Sequence, residues 1–224
     1  MEELETLARS DGPRGEVVLR RRISDGLVID ELVVNGAFAM DSAETLTERR
    51  LGQLAAGRGR ILVGGLGLGF TAAEILGLGV DRLEVVDIES CLIDWARAGI
   101  TSTLAAVAAD PRTQLHAADI AEVLAGGVPG LDGPWDAIVL DVDNGPDFLI
   151  HAANDALYAP AGLGFAYVRL APGGRLLIWC QGAAPGLLRD LQALEPDTAE
   201  HLIEVVRGER RFTYAIYELT RHAP

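Results

Sequence analysis

The chain contains no lysine; all 19 of its basic residues are arginine. That excludes a lysine Schiff base and a Walker-type phosphate loop, because both need an amine. Two cysteines, Cys91 and Cys180, in 224 residues are too few for a disulfide framework. No apolar run approaches the ~20 residues of a membrane span. The acidic start, Met1-Glu-Glu-Leu-Glu5, lacks the basic and apolar regions of a signal peptide. A cytoplasmic protein without membrane attachment is expected. Positive charge is scarce: 19 basic against 33 acidic residues leave a net charge of −14. A duplex binder needs a basic stripe, and only Arg20-Arg21-Arg22 and Arg210-Arg211 hint at one, so no nucleic-acid partner is expected. A cationic small molecule suits such a surface better. No Gly-x-Ser-x-Gly elbow marks a serine hydrolase. His116, His151, His201 and His222 have no metal-ligand spacing among themselves or with either cysteine, so no metal is expected.

What is present begins with Ile61-Leu-Val-Gly-Gly-Leu-Gly-Leu-Gly-Phe70. A β-branched and apolar run empties into glycines, and an apolar helix pattern (Phe70, Ala73, Ile75, Leu76) starts at once. Gly65, Gly67 and Gly69 let the backbone turn tightly and approach a ligand closely. A second strand, Leu83-Glu-Val-Val-Asp87, places a carboxylate 18 positions past Gly69, where a β-α-β unit sets it beside a bound ribose. This spacing points to an adenosine-type nucleotide.

Strand patterns near 61–64, 83–87, 113–117, 136–141 and 175–180 alternate with helix patterns near 69–77, 90–98, 101–109, 119–125, 154–170 and 185–194. Residues 201–207 and 212–219 read as two strands joined by a turn. The expected fold is α/β, a doubly wound and mostly parallel seven-stranded sheet closed by an antiparallel hairpin. Before it, residues 16–22 and 27–34 predict a small N-terminal β-hairpin, with a third short strand over 37–40. Asp41 with Glu44 resembles a capping box opening a helix to about Ala56. The expected division is a hairpin and linking helix over 1–58 and a Rossmann-like nucleotide-binding domain over 59–224.

In such sheets ligands bind beyond the carboxyl ends of the strands. The candidates there are residues 65–69, Asp87-Ile88-Glu89, Ala118-Asp119-Ile120, and the loop from Asp141 to Pro146. Asp119 suits the exocyclic amine of an adenine, and equally a helix N-cap. Asp141 ends a strand that is almost wholly apolar, Trp135-Asp-Ala-Ile-Val-Leu140, and a carboxylate there must be hydrogen-bonded or paired. It is the candidate general base or cation-stabilising carboxylate. Asn144 is a candidate for orienting an acceptor, although Asn-Gly-Pro is also plain turn chemistry. Cys91 reads as a buried structural thiol. Trp95, Trp135 and Trp179 read as core or pocket wall, with Trp95 a possible cover for adenine.

Taken in order, these segments resemble the spermidine synthase (polyamine aminopropyltransferase) family, a branch of the class I S-adenosylmethionine-dependent methyltransferase fold. The resemblance runs from about Leu27 to Trp179. The family's glycine motif corresponds to Val63-Gly-Gly-Leu-Gly-Leu-Gly69 and its acidic pair to Asp87-Ile-Glu89, the first acid gripping ribose. Its Gly-Asp corresponds to Ala118-Asp119, and its catalytic loop to Asp141-Val-Asp-Asn-Gly-Pro146. The resemblance implies S-adenosylmethionine or decarboxylated S-adenosylmethionine as co-substrate, an amine acceptor, and a homodimer formed through the N-terminal region. The chain departs from the family at Gly67, which replaces an aspartate, and at Asn144, which replaces another. No counterpart of the family's Gln, Tyr and His-Glu cluster lies between Val33 and Leu54. The expected function is therefore a related transfer to a small, amine-type acceptor. The alternatives are a non-catalytic nucleotide-binding scaffold and an NAD-dependent oxidoreductase, since Gly67-x-Gly69-x-x-Ala72 also fits a dinucleotide fingerprint.

Overall fold

The computed structural model describes residues 3–222, apart from 25, 58, 143 and 150. Four N-terminal strands, β1 (Glu3–Gly12), β2 (Gly15–Ser24), β3 (Leu27–Val34) and β4 (Ala37–Asp41), form an antiparallel sheet in chain order. The expected hairpin is β2–β3, and β4 is the short strand expected beside it. The sequence reading missed β1, whose small and charged residues carry no clean alternation. It forms by pairing along β2, from Glu3 opposite Ile23 to Gly12 opposite Gly15. The arginine run of β2 is neutralised across the hairpin: Arg21 reaches Asp30 at 2.7 Å, and Arg20 and Arg22 share Glu31 at 2.7 and 2.8 Å. Pairs of this exposure contribute at most about 1 kcal/mol each, but they leave no bare cationic stripe at residues 20–22.

The capping box does not form. Asp41 Oδ1 accepts the N–H groups of Ala43 and Glu44, closing a turn, and helix α1 (Leu46–Ala55) starts beyond it. Alternation then sets in with β5 (Arg60–Gly64), α2 (Phe70–Gly77), β6 (Arg82–Asp87), α3 (Ser90–Ala98), α4 (Ser102–Ala109), β7 (Thr113–Ala117), α5 (Ile120–Ala125) and β8 (Trp135–Leu140). A 3-10 turn (Ala152–Asn154), α6 (Asp155–Tyr158) and α7 (Pro160–Arg169) follow. The single helix expected over 154–170 breaks because Pro160 has no N–H to continue it and holds Ala159 in an extended conformation. β9 (Leu170–Cys180), α8 (Pro185–Leu194), β10 (Ala199–Arg207) and β11 (Arg210–Thr220) complete the chain's elements.

The seven strands lie in the order β10-β11-β9-β8-β5-β6-β7, with β9 to β7 parallel and β11 antiparallel to both neighbours. The chain is thus a class I methyltransferase-like doubly wound sheet carrying an N-terminal antiparallel sheet. The order reverses between β5 and β8, so their carboxyl ends flank the crevice where such sheets bind ligands. One apolar cluster joins the two sheets: Val17, Leu19 and Leu32 pack with Leu51, Ile61, Ile75, Val85 and Ile216. Burial of each such side chain stabilises by about 1.5–3 kcal/mol. At the opposite end of the strands Glu84, fully buried, is gripped by Arg60 and Arg82 and by the Trp135 indole N–H at 2.6 Å. Among the described residues no helix is long and apolar enough to cross a membrane.

Candidate active site

A cavity of about 200 Å³ opens at the carboxyl ends of β5, β6 and β8, with the N-terminal sheet as its roof. Its wall includes Gly65, Gly67, Asp87, Ile88, Glu89, Asp119, Ile120, Asp141 and Asn144. Nine of the ten residues picked out from the sequence therefore meet in one place. Gly69 does not: it is the N-cap of α2, and a side chain there would face Thr103, Leu104 and Val107 of α4. Asp143, within the catalytic-loop motif, lies outside the described residues. Trp179 is on the wall, Trp135 is core, and Trp95 packs in the apolar cluster rather than on the cavity.

The glycine loop fits the cavity closely. Gly65 has φ +92°, and a Cβ on it would stand 2.1 Å from the Asp141 carbonyl oxygen. Gly67 has φ +50°, and its Cβ would meet Met40 Sδ at 2.6 Å. Each backbone N–H from 65 to 69 is engaged inside the protein. Gly65 donates to Val86 O at 2.8 Å, Leu66 to Asp87 Oδ2 at 2.8 Å, and Gly69 to Leu66 O at 2.8 Å. Gly67 donates to the Asp87 carboxylate, and Leu68 donates to Met40 Sδ at 3.3 Å. The loop presents none of these donors to a phosphate.

The wall's charge points the same way. Among its described residues it carries five carboxylates, Glu48, Asp87, Glu89, Asp119 and Asp141, against one guanidinium, Arg14. Burial pushes the Asp87 carboxyl above its usual range, opposed by the N–H groups of Leu66, Glu89 and Gly67. Burial likewise raises Glu89, whose Oε1 accepts the Arg14 N–H at 3.2 Å. Asp119 does cap α5, accepting the Ala121 N–H at 2.8 Å, while its other oxygen lies 3.5 Å from Arg14 Nη2. Arg14 also donates to Asn154 Oδ1. Asp141 accepts the Thr71 hydroxyl at 2.6 Å, and its pKa is pushed up to about 7 by burial and by the neighbouring Glu48 charge. Burial raises Glu48 too, and Thr47 Oγ1 donates to it at 2.8 Å.

Sequence reasoning missed several of these wall residues as site groups, Arg14, Met40 and Glu48 among them. Glu48 had a signal, since it shares the buried face of α1 with Leu51 and Ala55, where an acid is out of place. Arg14 and Met40 had none; they reach the site only because the N-terminal sheet folds over it. Cys91 is a buried thiol whose pKa is raised by burial and by Glu89 and Asp87, the reverse of an activated cysteine. No cluster of metal-ligating side chains occurs among the described residues.

No protein-family model and no curated protein matches the sequence. Solved structures do match the fold. A spermidine synthase in complex with the transition-state analogue AdoDATO is 15% identical, with a TM-score of 0.78 over 98% of this chain and 75% of that one. The spermidine synthase from Thermotoga maritima is 15% identical, with a TM-score of 0.76 over 98% and 74%. Human methyltransferase-like protein 13 in complex with SAH is 20% identical, with a TM-score of 0.56 over 80% and 79%. The chain has the fold of the spermidine synthase-like branch of the class I methyltransferases.

Proposed function

We propose that the protein is a transferase that takes S-adenosylmethionine or its decarboxylated form and alkylates a small amine. The observation that carries this reading is the cavity's charge and donor pattern: carboxylates line it, and the glycine-loop N–H groups from 65 to 69 are all engaged. A dinucleotide's diphosphate would find repulsion there and no donor in the loop. A sulfonium nucleoside and a cationic amine are drawn in by the same charges. The AdoDATO and SAH complexes of the structural neighbours support the same ligand class.

The sulfonium makes its attached carbons electrophilic, so no covalent enzyme group is needed, and the protein's task is positioning. The amine's lone pair attacks the carbon, the C–S bond breaks towards sulfur, and the new ammonium loses a proton. In this reading Asp141 takes that proton, and a pKa of about 7, which matches it to neutral pH, supports the role. Thr71 fixes the carboxylate's orientation through its hydroxyl. Glu48 adds negative charge beside it and stabilises a cationic acceptor, and Asn144 orients the amine. Gly65, Gly67, Ile88 and Ile120 shape the wall against which the nucleoside lies, and Asp119 faces its base.

The test offers S-adenosylmethionine and decarboxylated S-adenosylmethionine with a panel of mono-, di- and polyamines, following S-adenosylhomocysteine or methylthioadenosine release. Turnover with either donor supports the reading. Nucleotide binding without turnover across the panel would make the protein a scaffold, and NAD binding tighter than methylthioadenosine by calorimetry would make it a dinucleotide protein.

A further inference from the structure

Arg14 brings the single guanidinium of the described wall to the nucleoside end of the cavity. It comes from the turn between β1 and β2, and its side chain is 13% accessible. Two contacts fix the residue at both ends. Its backbone N–H donates to Glu89 Oε1 at 3.2 Å, and its Nη1 donates to Asn154 Oδ1. The side chain is thus stretched between the end of β6 and the 3-10 turn ahead of α6, and its head is held in place.

Its third contact is loose. Nη2 stands 3.5 Å from Asp119 Oδ2, at the outer limit of a hydrogen bond. A guanidinium carries five N–H donors, and Arg14 makes no further side-chain bond among the described residues. Asp119 spends Oδ1 on the α5 cap, and its side chain is 31% accessible. A donor and an acceptor therefore stand side by side on the cavity wall, each with bonding capacity left and each partly accessible. Ile88, Leu92 and Ile120 supply apolar wall at the same end.

That couple matches the edge of an adenine. The base presents its exocyclic amine, a donor, next to a ring nitrogen with a free lone pair, N1 on one side and N7 on the other. An acid alone reads the amine and is blind to the ring nitrogen. We infer that Arg14 is a specificity-determining residue, donating to the ring nitrogen beside the amine that Asp119 accepts. This rests on the reading of the cavity as a sulfonium-nucleoside site. The base has only to widen a 3.5 Å contact that contributes little. Glu89 and Asn154 already hold Arg14, so little side-chain freedom is lost on binding. The N-terminal sheet thereby becomes part of the base-reading site rather than a cover over it.

Calorimetry with 5′-methylthioadenosine and its 1-deaza and 7-deaza analogues, each lacking one of the two ring nitrogens, tests this on the full chain. The wild type should bind at least one deaza analogue about tenfold or more weakly than methylthioadenosine. Arg14→Met keeps the length of the side chain and removes every donor; Arg14→Ala removes the side chain as well. Both should shrink the deaza penalty to about threefold or less. An Arg14 that only braces the fold would weaken all three nucleosides alike and leave their ratio intact, so a full penalty in both variants overturns the inference. Equal binding of all three by the wild type overturns it without any variant. No binding of methylthioadenosine at all by the wild type would overturn the reading of the site along with it.

Discussion

Replacing Asp141 with Asn separates the catalytic role proposed for the residue from what it does to the fold. The carboxyl's pKa stands at about 7 against an ordinary 3.8. The folded protein therefore holds this proton more tightly than the unfolded chain. Between about pH 4 and pH 7 the unfolded chain has released the proton while the folded one keeps it, so stability falls as pH rises through that window and levels off above it. At about 1.4 kcal/mol per pKa unit, the ionised group costs the fold on the order of 4 kcal/mol above pH 7. Glu48, Asp87 and Glu89 are all raised by burial and slope the same way. Asn keeps an acceptor for the Thr71 hydroxyl and carries no charge at any pH. Urea melts should show Asp141→Asn more stable than the wild type at pH 8, by about 2–3 kcal/mol more than at pH 5. Transfer should fall by roughly 10²–10⁴, and the wild type's rising pH–rate limb, with its inflection near 7, should vanish. An Asn variant no more stable at pH 8, or a wild-type profile flat from pH 6 to 8, would refute the argument.

Three further outcomes are expected. Glu84→Gln leaves Arg60 and Arg82 without their shared buried carboxylate, and chemical denaturation should show a loss of about 3–5 kcal/mol. Gly67→Asp restores the spermidine synthase residue but drives a side chain into Met40 Sδ from a left-handed backbone, costing about 1–3 kcal/mol; adding Met40→Ala should recover part of that in a thermal melt. The N-terminal sheet exposes Leu27 and Val28, 66% and 58% accessible, a surface suited to a second copy. Light scattering should report a dimer at micromolar concentration, and a monomer with β1 to β4 intact would reject that assembly.

Most of the parallel core was legible because β5, β6 and β8 are short, largely apolar runs stopped by glycine or acid. β7 falls over 113–117 as read, and β5, β6 and β8 lie within a residue or so of expectation. Boundaries failed where local chemistry was ambiguous: Pro160 cuts one helical pattern in two, and Asp41 closes a turn instead of a helix. β1 escaped because its pairing with β2, and not its own sequence, makes it a strand. In the site, the residues ending β5, β6, β7 and β8 could be read from spacing, as all sit on one edge of one sheet. Arg14 and Met40 could not, because their nearness to the wall residues of the main sheet depends on how the roof packs, whereas Glu48 left only the trace of an acid on a buried helix face.

The position of β11 bears on how the molecule is made. It lies between β10 and β9, with Ala215, Ile216, Tyr217 and Leu219 fully buried, yet it is the last of the described strands to leave the ribosome. Until then β9 is a bare hydrophobic edge, and β10 has no partner in the sheet. A nascent chain halted by a premature stop before Arg210 would carry the whole glycine loop and most of the cavity wall but expose a sticky edge to chaperones and proteases. The topology thus makes survival in the cell conditional on translation through β11.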